Sequence, residues 1–364
     1  MVSLRDVAKE AGVSVATVSH VINGTRYVSP ELTERVRCAL RKLNYEPNLV
    51  ARGLRTRHSW VIGLITSDIT NPFYPGVAQG AADYAAQHGY SLMLYDAGED
   101  GQHEEKIVSL LQRRQTDGFL FTSIDANSPT VRRLHEQNFP FVLINRQLKD
   151  IKTHYVGIDN RAGMSQAVRH LAGLGHRVIA FVTGLARSTA AEERFEGFLE
   201  AVHECGLESG PELVYAGSYQ LADGCTAAYH LIQARPDITA IVAANDLMAF
   251  GVWQCLHRLG IRVPDDVSVL GFDDIYPASM GPIGLTTVRA PQRDMGERAA
   301  ELLLKVIEAR RPLPARQIIL PVELIVRHTT TVRRPYGQLA WSPEAMARVS
   351  EDVHHFAQQA QQGG

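Results

Sequence analysis

From residue 61 onward the chain repeats one pattern: a short apolar run, a polar turn, then a stretch of helical period. Apolar runs stand at Val61–Ile65, Ser91–Tyr95, Gly118–Thr122, Phe141–Ile144, Arg177–Thr183, Ala240–Ala244 and Val267–Phe272, with a further strand expected at Leu213–Gly217. Amphipathic stretches such as Tyr74–His88, Glu104–Gln115, Asn160–Leu174 and Ala191–Cys205 lie between them. Strands separated by helices pair as parallel sheets with helices packed on their faces. A body of about 270 residues exceeds one comfortable hydrophobic core, so two lobes are expected. In such sheets ligands bind beyond the carboxyl ends of the strands.

The first 58 residues read differently. Leu4, Val7, Ala8 and Ala11 share one helical face, and Gly12 can end that helix in the left-handed conformation. Ser14 is a suitable cap for a second helix, Val15 to Asn23, with Val18 and Val21 or Ile22 facing inward. Ser29, Pro30 and Glu31 are a cap, a first-turn proline and an early acid, and they start a third helix that runs to about Leu43. Helix, tight turn and helix describe a helix-turn-helix. Its second helix presents Val15, Ala16, Ser19 and His20. Small apolar side chains suit thymine methyls, and a histidine can donate to a base acceptor. Thr17, Ser19, Asn23 and Thr25 offer hydroxyl or amide groups to phosphates, with Arg5, Arg26 and Arg35 adding charge.

Charge sharpens this division. The whole chain has 364 residues and a formal net charge of −2, which taken alone speaks against nucleic acid. Residues 1–58, however, carry ten basic against five acidic side chains, a net of +5, leaving −7 for the remainder. A basic head is joined to an acidic body. The four cysteines, Cys38, Cys205, Cys225 and Cys255, lie far apart in sequence and form no metal-ligand spacing. They are expected to be free buried thiols in a reducing compartment. The amino terminus lacks a signal-peptide pattern, and no apolar run reaches membrane-span length, so a soluble cytoplasmic protein is expected.

Several segments together carry a resemblance. LRDVAKEAGVSVATVSHVINGTRYVSPELTERVRCALRKLNYEPNLVARGLRT resembles the DNA-binding head of the LacI/GalR repressor family. GLITSDITNPFY, VGIDNRAG, ERFEGF, AIVAANDLMAFGV and RVPDDVSVLGFDD resemble its effector-binding body, which is similar to periplasmic sugar-binding proteins. The resemblance implies a helix-turn-helix head (1–47), a hinge helix (48–58), a two-lobe effector-binding and dimerisation domain (59–330) and a C-terminal extension (331–364). It makes Val15, Ala16 and His20 the base-reading positions. It also makes Leu54 the hinge leucine that wedges into the minor groove, a known way to kink DNA. A nine-residue hinge containing Gly53 is marginal as an isolated helix, since ~12–15 residues are usually needed. Its ordering would therefore depend on DNA.

Polar and aromatic residues recur after the strand runs. Asp68, Asn71, Phe73 and Tyr74 follow the first, Asn145 and Arg146 a later one, and Asn245, Asp246, Asp273 and Asp274 the last two. Arg194 is expected to open a helix, and Tyr219 follows the strand at Leu213–Gly217. An Asp or Asn in such a place is commonly just a helix cap. Their recurrence at successive strand ends points instead to a site, and this mixture of acids, amides, arginine and aromatics suits a sugar or a purine. By the resemblance, Phe73, Tyr74, Arg146, Arg194, Tyr219, Asn245 and Asp273 match effector-contacting positions, while Ala290 replaces the family's usual glutamine. No dinucleotide, nucleophile-elbow, zinc-protease or phosphate-loop motif is present. The adjacent carboxylates of Asp273 and Asp274 leave a catalytic pair open as the lesser reading. No cofactor and no metal are expected. The expected partners are palindromic operator DNA, a sugar-like effector (or a nucleoside) and a second copy of the chain. Ligand-independent DNA binding is the alternative. In the tail, Met346, Val349, Val353, Phe356 and Ala360 form a short heptad-like seam. A helix docked on its own body is the expected use, with tetramerisation the alternative.

Overall fold

The computed structural model describes residues 2–23, 26–45, 58–281, 283–309 and 311–333, together with Met346, Val349, Ser350 and Val353. The chain divides into two compact units, Met1–Trp60 and Val61–Gly364.

The first unit holds α1 (Leu4–Ala11), α2 (Val15–Asn23) and α3 (Pro30–Lys42). A reciprocal capping box between Ser3 and Asp6 starts α1, and Gly12 ends it at φ +62°. Ser14 Oγ accepts the Thr17 amide at 3.0 Å, and Ser29 Oγ accepts the Leu32 amide at 3.4 Å. Val7, Ala8, Ala11, Val18, Val36 and Ala39 form the buried core. Leu32, in the first turn of α3, is half-buried and lies outside this cluster. Arg35 departs from its expected role as a phosphate contact. Its Nη2 donates to the carbonyls of Ala11 (2.7 Å) and Gly12 (3.2 Å), so it closes the C-terminus of α1.

The second unit is a pair of six-stranded sheets. Lobe 1 contains β1 (Val61–Thr66), β2 (Ser91–Asp96), β3 (Gly118–Phe121), β4 (Phe141–Ile144), β5 (Tyr155–Ile158) and β11 (Gln317–Leu320). They lie in the order β11-β5-β4-β3-β1-β2 and are all parallel. Lobe 2 contains β6 (Ile179–Thr183), β7 (Val214–Ala216), β8 (Ala240–Ala243), β9 (Ser268–Asp273), β10 (Thr286–Arg289) and β12 (Glu323–Ile325), in the order β12-β10-β9-β8-β6-β7. The expected parallel sheets are present, with one antiparallel addition at an edge, where β12 runs antiparallel to β10. It follows β11 of lobe 1 after only two intervening residues. The connecting helices are α4 (Phe73–Gln87), α5 (Gly101–Arg113), α6 (Pro129–Glu136), α7 (Asn160–Gly173), α8 (Thr189–Glu204), α9 (Leu221–Ala234), α10 (Asp246–Arg258) and α11 (Gln292–Glu308). The chain passes between lobes after β5, after β10 and between β11 and β12.

Glycines set the closest helix contacts. A Cβ on Gly80 of α4 would lie 2.0 Å from the Arg293 carbonyl oxygen, and one on Gly296 of α11 would lie 1.9 Å from that of Val77. Gly224 and Gly251 make the same reciprocal approach between α9 and α10. The cysteine expectation holds only in part. Cys225 and Cys255 are buried, whereas Cys38, in α3, is exposed and Cys205, the C-cap of α8, is half-buried. In the tail, Val349 and Val353 are buried and Met346 is half-buried, while Phe356 and Ala360 lie outside the described residues.

One core acid makes stability depend on pH. Glu104, in the first turn of α5, is 7% exposed and accepts the Ser128 hydroxyl at 2.8 Å. Burial outweighs that hydrogen bond and pushes its pKa up to about 6. A raised folded pKa gives stability below the ordinary carboxylate range, and that stability is lost as pH rises through about 6. Glu104→Gln is therefore expected to stabilise the body at pH 8 by about 2 kcal/mol, with the gain shrinking toward pH 4.5. Urea midpoints at the two pH values measure this; equal shifts at both would contradict it.

Candidate functional site

Two sites are built on different units. In the head, the Ser14 cap fixes where α2 begins and leaves its first residues at the surface: Val15 is 41% exposed and Ala16 is exposed. Ser19 and His20, further along α2, are half-buried. Thr17 is committed locally, its hydroxyl 2.9 Å from that of Ser14. Arg26 and Tyr27 are exposed in the loop before α3. The Asn23 side chain, Thr25 and the hinge with Leu54 lie outside the described residues.

In the body, the carboxyl ends of the two sheets face one another, and all the predicted effector residues lie there. Phe73 and Tyr74 open α4, with their rings edge-on at 5.3 Å. Tyr74 Oη accepts from Ser123 Oγ at 2.8 Å. Arg146, only 2% exposed, follows β4 and lies 5.6 Å from the centre of the Tyr219 ring, which belongs to lobe 2. Asn245 caps α10 by accepting the Met248 amide at 2.9 Å, and its Nδ2 donates to the Tyr219 carbonyl at 3.0 Å. The bland reading of this asparagine as a cap is thus correct, but it also fixes Tyr219.

Arg194 does not open its helix, as its sequence context suggested, but lies in the second turn of α8, because Ser188 caps the helix earlier. The guanidinium stacks 3.8 Å from the centre of the Phe272 ring. Its Nε donates to Asn160 Oδ1 at 2.8 Å, Nη1 donates to the Ala244 carbonyl, and Nη2 lies 3.4 Å from Asp273 Oδ1. Burial pushes Asp273 up to about 6 against the opposing pull of Arg194. At neutral pH it remains largely an acceptor. Asp273 and Asp274 have different partners: Asp274 is held by Arg289 (2.7 Å) and Arg327 (2.6 Å), whereas Asp273 meets Arg194.

The sequence reading missed several participants. Glu99 binds Arg146 through both oxygens (3.0 and 3.1 Å) and receives Arg187 from lobe 2 at 3.2 Å. Burial raises this carboxyl, but Arg146 outweighs it and holds the pKa below the ordinary value. Asn160 was hidden because β5 was not recognised. Gln292 donates to the Asp273 carbonyl at 2.7 Å, two residues beyond the buried Ala290. Gln220 to Asp68 (3.1 Å) and Lys149 to Glu192 (2.7 Å) also bridge the lobes. Asn145, Tyr219, Asp273 and Asp274 all have positive φ, a strained setting for non-glycine residues that concentrates at binding sites. The cleft is therefore closed, nearly charge-balanced, and lined by donors, acceptors and aromatic faces.

A two-lobe body of this topology, with a helix-turn-helix unit before it, defines a class of ligand-responsive DNA-binding regulators. Residues 3–48 match the bacterial regulatory proteins of the lacI family, and residues 59–328 match the periplasmic binding proteins and sugar binding domain of the LacI family. The chain belongs to the LacI family. It is 36% identical over 330 residues to the ribose operon repressor of Halalkalibacterium halodurans, covering 91% of this chain and 97% of that protein. Among solved structures it is similar to the transcriptional regulator CelR–cellobiose complex, with TM-score 0.69 and 33% identity, covering 90% of this chain and all of that one. It is also similar to the lac repressor dimer bound to operator and the anti-inducer ONPF, with TM-score 0.80 and 27% identity, covering 91% and 99%.

Proposed function

We propose that the protein is a homodimeric transcriptional repressor whose affinity for a palindromic operator is set by a sugar or sugar derivative bound between the lobes. The observation that carries this is the cluster at the lobe interface: Arg146 on Tyr219, and Arg194 held between Asn160 and Asp273. Planar polar groups beside aromatic faces suit a ring with many hydroxyls. The ribose and cellobiose named for the similar proteins support the same chemistry. Phe73, Tyr74, Arg146, Arg194, Tyr219, Asn245 and Asp273 form the effector contacts in this reading. No catalytic role is assigned to them.

Val15, Ala16 and His20 read bases, while Thr17, Ser19, Asn23, Thr25 and Arg26 serve the backbone and Leu54 wedges from the hinge. The domains are a head (1–47), a hinge (48–58), a body (59–330) and a C-terminal extension (331–364). Met93 and Leu94, exposed on edge strand β2, support a dimer face. Val349 and Val353, buried within one chain, support a tail used internally rather than for tetramers. The site of action is the nucleoid in the bacterial cytoplasm.

The test is selection of an operator from random duplexes, followed by fluorescence anisotropy with a panel of sugars and nucleosides. A pentose or glucoside should change operator affinity about 5–150-fold, the usual span of allosteric coupling. A response to no compound would overturn the effector reading. In the same assay His20→Ala should relax discrimination at one base pair of each half-site by about 1–3 kcal/mol. Equal weakening on every sequence would make His20 a phosphate contact.

A further inference from the structure

We propose that the amino end of the lobe 1 sheet carries a second small-molecule site, for an organic anion with an apolar body, bound by Lys152, Arg311 and His154. A cavity of about 430 Å³ opens there, within the roughly 300–1,000 Å³ of small-molecule pockets. Phe141, which begins β4, and His154, which precedes β5, line it, as do Val306 and Ile307 at the end of α11. The effector cleft lies at the opposite, carboxyl ends of the same strands. This second site is therefore separate and does not depend on the reading of that cleft.

Three observations set the ligand chemistry. Much of the lining is apolar, including Phe139, Phe141, Val306 and Ile307. The lining is also cationic: Lys152 and Arg311 are exposed, and among the described residues no Asp or Glu lines the cavity and neither base has an ion-pair partner. Finally, Thr153 lines the cavity at 4% exposure with a hydroxyl that has no hydrogen-bond partner, a rare condition for a buried polar atom. His154 adds an uncharged donor. Burial lowers its pKa, and its Nδ1 accepts the Arg316 amide at 3.3 Å, which leaves the proton on Nε2. Cations beside an apolar lining select an anionic group attached to a hydrophobic body over a bare ion or a neutral sugar. Ala309, Arg311, Pro312, Leu313 and Ala315, between α11 and β11, supply one side of the lining.

The experiment uses the full chain with 1-naphthoate as probe and 1-naphthamide as its uncharged match. Calorimetry should show naphthoate binding, weakened about tenfold or more in the Lys152→Gln/Arg311→Gln double variant, as loss of charge-assisted hydrogen bonds requires. Naphthamide binding should be weak and equal in both proteins. Both substituted side chains are on the surface, so folding is retained and is checked by thermal melting. Hydrogen exchange should show naphthoate protection in segments 138–141, 152–155 and 306–309. Equal naphthoate affinity in the double variant, equal binding of the amide, or protection confined to the effector cleft would each overturn the proposal.

Discussion

Arg194→Ala is expected to remove effector control while leaving unliganded operator affinity unchanged. This arginine is 2% exposed and is the common partner of Asn160, the Ala244 carbonyl and Asp273. Truncation strands all three in a dry site. Asp273, already pushed up to about 6 by burial, loses the cation that opposes that rise. It then takes a proton near neutral pH, which turns one of its two acceptor oxygens into a donor and weakens its grip on ligand hydroxyls. Removing one partner of a buried hydrogen-bonded charge pair costs about 2–5 kcal/mol, or roughly 30- to several thousand-fold in effector affinity. Arg194→Met keeps the volume over the Phe272 ring and separates charge loss from collapse. Anisotropy on operator DNA reads both quantities. A normal response in the methionine variant would move the effector site elsewhere.

Gly296→Ala is expected to be the most destabilising single methyl in lobe 1. The added Cβ would stand 1.9 Å from the Val77 oxygen and 2.8 Å from the Ala81 nitrogen. Both obstacles are backbone, so no rotamer change relieves them. Gly80 makes the reciprocal approach to Arg293, so α4 and α11 must separate along their whole contact. Overpacking typically costs 1–3 kcal/mol, and about 3 kcal/mol or more is expected here because helices rather than side chains must move. Gly173→Ala, on an exposed helix end with nothing within 4 Å of the new Cβ, is the control. It should be neutral or stabilising by up to about 1 kcal/mol. Chemical denaturation of both variants decides the matter; equal midpoints would mean that the close crossing adapts at little cost.

The parts of this molecule that were legible in sequence share a physical cause. β1, β4 and β9 are buried on both faces and so read as continuous apolar runs. Ser14, Ser29 and Gly12 act through their immediate neighbours, and local chemistry is visible in a string of letters. The missed strands β5, β10, β11 and β12 are three or four residues long, and Gln317–Leu320 and Glu323–Ile325 are half-exposed edges with little periodicity. The same limit applies at the cleft. Residues directly after recognised strands, such as Arg146 and Asp273, could be found by rule. Asn160 follows an unrecognised strand, and Glu99 lies three residues past the end of its own. Arg35 looked like one more basic side chain of the head. Only the fold shows it pointing at the end of α1, 23 residues away along the chain.

The interleaving of the lobes bears on how the protein is made. Lobe 1 is assembled from residues 61–158 and 292–320, and lobe 2 from 160–290 with a last strand at 323–325. On a ribosome the first segment of lobe 1 emerges with β5 lacking its outer neighbour and with the seat of α11 on α4 uncovered. It must wait through the synthesis of nearly all of lobe 2 before either arrives. The half-built lobe therefore exposes apolar surface while more than a third of the chain is translated, the condition in which chaperones are recruited. Lobe 2, translated later, has its five parallel strands complete first.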